Sequence, residues 1–186
     1  MPDSRRPNRG PSAAAENRAA LIAAAREVFA SAGYNAPLSM VARAAGVGQG
    51  SLYRHFPDRT SLAMAVFEDG VTQLEALAAE PGTTLDDVLA LITEQTIAST
   101  AFIDMVTMPP IDPDPRILEV RNRVADLLTG MLPDARRAGA VRDDVTADDL
   151  VLVVGMLAGA LAKTPAPHRR EVAGRVWTLL RKGMEP

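Results

Sequence analysis

The sequence predicts an all-α protein of about nine helices, and three observations carry that expectation. Apolar residues recur at i, i+4 and i+7 through most of the chain, which gathers them on one face of a helix. No segment alternates convincingly between apolar and polar residues at period two, as a half-buried strand would. Proline and glycine stand mostly between the periodic runs, at Gly33, Gly46, Pro57, Pro81-Gly82, Pro109 to Pro115 and Pro165, and divide the chain into helical lengths. With 186 residues, 47% of them apolar, and a formal net charge of −3, the composition is that of a packed protein and not of a disordered segment.

Residues 1–12 are rich in Pro and Arg without periodicity, and are expected to form a flexible basic arm. The first helix is expected from Ala14 to Ala32, with Leu21, Ala25, Val28 and Phe29 on one stripe and Gly33 as its stop. A short helix over Pro37 to Ala45 buries Leu38, Val41, Ala42 and Ala45. A tight glycine turn, Gly46-Val47-Gly48, leads into a third helix from Gln49 to Phe56. Asp58 caps a fourth helix starting at Arg59 and ending before Pro81-Gly82. Thr84, followed by Asp86 and Asp87 where the helix dipole favours acids, opens a fifth helix that runs to about Thr107. The four prolines between Pro109 and Pro115 make an irregular crossover. A helix from Arg116 to Leu132 turns Ile117, Val120, Val124, Leu127, Leu128 and Met131 inward, and Pro133 is expected to break or kink it before a basic turn at Arg136-Arg137. Thr146 opens a helix that is apolar all round from Leu150 to Ala162, and a last helix carries Val172, Val176, Leu179 and Leu180 on one face.

Charge is distributed unevenly. Residues 1–60 hold eight Arg against four acids, while residues 61–186 hold twelve cations against nineteen acids. A basic first third on an acidic remainder suggests that the first third meets a polyanion. Helices two and three, joined by the glycine turn, have the dimensions of a helix-turn-helix. On the third helix Leu52 and Phe56, at i and i+4, point to the core, while Gly50, Ser51 and Arg54 lie opposite and Tyr53 and His55 flank the core stripe. A tyrosine hydroxyl, an imidazole and an arginine are natural donors to phosphate oxygens, and Arg59 with the free N–H groups of the fourth helix would add an anion site.

The run from Val41 through Leu62 resembles the TetR family of bacterial transcriptional regulators. The resemblance rests on Ala45-Gly46-Val47, on Gly50-Ser51-Leu52-Tyr53-Arg54-His55-Phe56 and on Asp58-Arg59, with Phe29, Gly33 and Tyr34 matching the end of the family's first helix. A weaker match, Gly139 to Asp148, looks like the segment before the family's penultimate helix. The resemblance implies a three-helix DNA-binding domain at 13–58 and a helical effector-binding and dimerisation domain at 59–186. It implies that Tyr53, His55 and Arg59 contact phosphates and that Gln49, Gly50 and Ser51 lie against base edges, Gly50 by close approach alone. Pro37 stands where the family often has a capping Thr, so Ser39 and Arg43 are expected to supply the phosphate contacts there.

The family's pattern further implies a pseudopalindromic double-stranded operator, a homodimer through the last two helices, and a small-molecule pocket within helices five to seven. Phe102, Met105, Val106, Met108, Leu128 and Met131 would give that pocket an apolar, adaptable lining, which favours a neutral or hydrophobic effector. The all-round apolar helix independently suggests a partner face, with Gly155 and Gly159 permitting close approach and Val172, Val176 and Leu179 beside them; Trp177 belongs either to that face or to the core.

An enzyme is the main rival class. The chain has no cysteine and only two histidines, His55 and His168, and it lacks a phosphate-binding glycine loop or a hydrolase motif; Asp112 and Asp114 fall in the proline-rich crossover. No catalytic residue, metal site or cofactor is expected. The alternative to a repressor is a helical protein-interaction module that does not bind DNA. The N-terminus lacks the apolar stretch of a secretory signal, and the run from Leu150 to Ala162 is shorter than the ~18 residues a membrane span needs, so a cytoplasmic protein is expected.

Overall fold

The computed structural model describes residues 11–98 and 115–184. These residues form eight α-helices: α1 (Pro11–Ala32), α2 (Leu38–Ala44), α3 (Gln49–His55), α4 (Arg59–Ala78), α5 (Leu85–Ala98), α6 (Pro115–Arg137), α7 (Ala147–Ala162) and α8 (Arg169–Met184). A single 3-10 turn, Ala166–His168, precedes α8, and no strand occurs among the described residues. Most of the arm (1–12), the continuation of the fifth helix to Thr107 and the proline-rich crossover lie outside the described residues.

Two cores organise the helices. Leu21, Ala25, Val28 and Phe29 of α1 pack with Leu38 and Val41 of α2, Leu52 and Phe56 at α3, and Leu62 and Val66 of α4. The expected stripes of the first three helices are therefore buried, with Leu52 and Phe56 0% and 2% exposed, except that Ala45, the residue after α2, is only half-buried. The second core joins Leu74 at the far end of α4 to Leu85, Val88 and Leu89 of α5, Leu128 and Leu132 of α6, and Leu150 and Val153 of α7. Helix α4 thus has its first half in one core and Leu74 in the other, while its Met64 and Val71 meet Val120 of α6.

Local signals fix most boundaries. Asp58 and Ser61 cap α4 reciprocally, Ser61 N–H donating to Asp58 Oδ1 at 2.7 Å and Asp58 N–H to Ser61 Oγ at 3.4 Å. Thr84 with Asp87, and Thr146 with Asp149, make the same exchange at the starts of α5 and α7. One boundary differs from the sequence expectation: α6 does not end at Pro133 but continues to Arg137. The proline forgoes the bond its N–H would give Thr129, at a cost of about 3 kcal/mol. Leu132 and Ala135, buried on either side of it, must stay in helical register with Leu128 to remain in the core. Burial of a leucine contributes roughly 1.5–3 kcal/mol, a sum comparable with that cost to which buried Ala135 adds, so packing offsets the proline. The basic pair Arg136-Arg137 accordingly lies in the last helical turn.

The turn between α2 and α3 is a Schellman closure: Val47 N–H reaches Ala42 C=O at 2.9 Å and Gly46 N–H reaches Arg43 C=O at 3.1 Å, with Gly46 at φ +65°. A Cβ at Gly46 would meet nothing within 4 Å, so the cost of a side chain there is conformational only. Gly46→Ala is expected to lower stability by about 1–2 kcal/mol, measurable by urea denaturation.

Candidate nucleic-acid interface

Helices α2 and α3 bury one face each and leave the other open. On α3, Gln49, Gly50, Tyr53 and Arg54 are exposed, Tyr53 by 47%, while Ser51 and His55 are half-buried. On α2, Ser39, Met40 and Arg43 are exposed, opposite Leu38, Val41 and Ala42. Every expected DNA-contacting residue on these two helices therefore retains surface, and Arg54 and Met40 add to it. The sequence contains no acid between Glu27 and Asp58. The open faces present cations, hydroxyls and an amide with no carboxylate of their own to repel a phosphate.

At the start of α4, where an anion site is expected, the Asp58 carboxylate accepts from the Ser61 N–H within the first turn. Arg59 is half-buried and engaged inside the head: its Nη1 donates to the Tyr34 carbonyl and, at 2.6 Å, to the Ala36 carbonyl. Its guanidinium carbon lies 5.5 Å from the centre of the Tyr34 ring. Pro37 is the N-cap of α2 and, as its side chain dictates, gives no capping hydrogen bond.

Polar bridges tie the head to the rest of the chain. Arg26 of α1 pairs with Asp69 of α4, which also accepts from Gln73 at 2.9 Å. Further along α4, Arg123 of α6 grips Glu75 bidentately at 2.8 and 2.6 Å and reaches Thr72 at 3.3 Å. The hydrogen bond from Arg123 holds the Glu75 carboxyl below its usual range, against a smaller opposing effect of desolvation. The folded state therefore gains stability from this pair above the usual carboxylate value and loses it as pH falls through the lowered one. Both side chains are about a third exposed, so the gain is at most about 1 kcal/mol. Stability measured by urea from pH 7 to 3 should fall less steeply in Glu75→Gln than in the parent. Sequence reading had no signal for this pair, since nothing local connects residues on α4 and α6.

In the second half of the chain, Phe102, Met105, Val106 and Met108 lie outside the described residues. Leu128 is fully buried in the second core and Met131 half-buried at its edge. A concavity of about 560 Å³ opens elsewhere, between α6 and the start of α7, bordered by Thr129, Pro133, Arg136, Thr146 and Asp148. Helix α7 buries Leu150, Val153, Leu157, Ala158 and Leu161 but exposes Leu152 and Met156 by 62% and 52%. Gly155 and Gly159, one just before and one a turn after Met156, lie beside these exposed side chains and are themselves half-buried. Val172 and Val176 of α8 are half-buried and Leu179 is 72% exposed. Trp177 is half-buried against the second core and against Leu157, Ala158 and Leu161 of α7 and Ala173 of α8, and its Nε1 donates to Thr93 Oγ1 at 2.6 Å.

Comparison with known proteins assigns this arrangement. The family model of bacterial regulatory proteins of the tetR family matches residues 21–66, and that of the C-terminal domain of SbtR-like transcriptional regulators matches residues 80–186. The chain belongs to the TetR family. It is a DNA-binding transcriptional regulator with a helix-turn-helix head. Among solved structures, a TetR regulator from Mycobacterium vanbaalenii is similar at 26% identity and a TM-score of 0.65, over 94% of this chain and 98% of that one. CprB of Streptomyces coelicolor is 27% identical with a TM-score of 0.61, over 93% of this chain and 90% of that one; CprB has also been solved with its biological operator sequence. An ArpA-like gamma-butyrolactone receptor is 26% identical with a TM-score of 0.52, over 94% and 90% of the two chains. No curated protein matches the chain. TetR regulators are generally not enzymes. No helix among the described residues is long and apolar enough to cross a membrane.

Proposed function

We propose that this TetR protein is a cytoplasmic, homodimeric repressor that binds a pseudopalindromic operator and is released by a small, mostly apolar effector. The observation that carries the reading is the acid-free open face of α2 and α3, where Gln49, Gly50 and Ser51 would meet base edges and Ser39, Arg43, Tyr53 and His55 the phosphates. One head offers too few contacts for a stable specific complex, and a dimer doubles them. The exposed apolar stripe on α7, with Val172, Val176 and Leu179 of α8, supports a second copy as the cover. The reading divides the chain into an arm (1–12), a reading head (13–58) and an effector-binding and dimerisation part (59–186). It needs no catalytic residue or cofactor.

Effector binding is supported by the gamma-butyrolactone receptor among the similar structures and by the apolar character of Phe102, Met105, Val106, Met108, Leu128 and Met131. An effector acts only by preferring one conformation over another. Helix α4, packed in both cores, is the element through which such a preference would reach the head. The test starts with a duplex selected by the protein from a random library, followed by light scattering of the free protein and the complex. The reading expects twice 19.7 kDa in solution and one dimer on a two-half-site duplex. A strictly monomeric protein at micromolar concentration, or the failure to enrich any duplex, overturns it. Compounds that raise the melting temperature are then scored for loss of duplex binding.

A further inference from the structure

We propose that Arg59 is a positioning residue of the reading head, acting on DNA recognition through the α1–α2 turn that it holds and not through a phosphate. The proposal rests on the DNA-binding reading and refines it. Helix α2 begins directly after a proline that gives it no side-chain cap, so its start is held by backbone bonding, Met40 N–H to Pro37 C=O at 2.8 Å, and by contacts from outside the helix. The turn before it is closed by one backbone bond, Ala36 N–H to Gly33 C=O at 3.1 Å. Its carbonyls at Tyr34 and Ala36 point toward α4 and need donors, because backbone oxygens packed in a head are stable only when paired.

Arg59 supplies one nitrogen to both carbonyls, and charge-assisted bonds are the stronger kind. A stack fixes the side chain further. The guanidinium lies over the Tyr34 ring, and that ring packs on fully buried Phe29 at 5.9 Å between centroids. Behind it, the Asp58–Ser61 capping box sets the backbone from which Arg59 projects. One side chain therefore joins three parts: the stripe of α1, the start of α2 and the start of α4. Ser39 and Arg43 follow Ala36 within seven residues on α2, so a shift of this turn moves them relative to Gln49 and Ser51 on α3. The neighbouring Asp58 carboxylate disfavours a phosphate at the same place.

A double-mutant cycle decides between holding the turn and touching the phosphate. Arg59→Ala, Tyr34→Leu and the double variant are titrated, well below their melting temperatures, against a duplex selected by the parent protein and a scrambled duplex of the same composition. Positioning predicts that each single variant loses about five- to tenfold on the selected duplex and much less on the scrambled one, with the double variant within about twofold of the worse single. The slope of log affinity against log salt should stay within roughly 0.3 of the parent's per subunit. A phosphate contact predicts instead that Arg59→Ala loses about one unit of slope per subunit and equal affinity on both duplexes, while Tyr34→Leu is neutral or adds independently; that result overturns the proposal. If Arg59→Ala does not fold, Tyr34→Leu alone decides, since it removes no group from a phosphate: lost discrimination supports positioning, and parental discrimination refutes it. A parent protein that selects no duplex defeats the DNA-binding reading itself, an outcome separate from either slope.

Discussion

Met156→Arg should leave a folded monomer that binds its operator at least a hundredfold more weakly than the parent. Met156 is 52% exposed, so in a single chain the arginine extends into water and stability changes by no more than about 0.5 kcal/mol. In the proposed dimer the same position lies between Leu152, Gly155 and Gly159 on the outer face of α7. A symmetric interface places the substitution twice, bringing two unpaired guanidinium groups into an apolar contact. Removing the partner removes the effective concentration that makes the second half-site contact intramolecular, a factor of roughly 10²–10⁴. Light scattering should therefore report 19.7 kDa, with an unchanged circular dichroism melt and a gel shift only at much higher protein concentration. A dimer that survives both Met156→Arg and Leu179→Glu would place the interface elsewhere. Gly155→Leu gives a gentler check: an added Cβ there meets nothing within 4 Å in one chain, so any lost self-association reports the partner's approach.

What the sequence made legible follows how local each determinant is. Leu52 and Phe56 lie one turn apart, so their spacing alone sends both to the core. The caps of α4 and α7 sit within three residues of their partners, and Asp58 and Thr146 could be picked from the chain by chemistry alone. Pro133 shows where local rules stop: its immediate sequence argues for a helix end, but Leu128, Leu132 and Ala135 are held in register by α5 and α7. The same distance in sequence hid the direction of Arg59. Its position at a helix start beside the recognition helix suggests a phosphate, and only the folded turn brings the Tyr34 and Ala36 carbonyls, 25 and 23 residues away, to its guanidinium. The pairing of Trp177 with Thr93, 84 residues apart, is another contact that no local rule could supply. For the DNA face, the exposed residues were legible because a buried stripe on a short helix defines its own opposite side.

Separate loss of specificity and of affinity is the second large effect expected, and it divides the open faces of α2 and α3. Gln49→Ala and Ser51→Ala should keep the affinity for scrambled DNA and each lose about 1–3 kcal/mol of discrimination at one or two operator positions per half-site. The loss counts twice in a dimer on a pseudopalindrome, which makes Gln49→Ala one of the most damaging single changes on the surface. Gln49 is exposed at the first turn of α3 and needs no repacking when shortened, so the change reports contact and not fold. Arg43→Ala and Tyr53→Phe, on exposed residues of α2 and α3, should weaken every duplex alike, because phosphate oxygens carry no sequence. Arg43→Ala should in addition flatten the salt dependence by about one unit of slope per subunit, through a counterion no longer released. Tyr53→Phe removes a hydroxyl and no charge, so its slope should remain parental while its affinity falls. Titrating the four variants on selected, singly mismatched and scrambled duplexes at several salt concentrations separates the two classes. If Gln49→Ala weakens all duplexes equally while Arg43→Ala changes which bases are preferred, the reading and the holding residues are assigned the wrong way round, and α2 rather than α3 lies in the major groove.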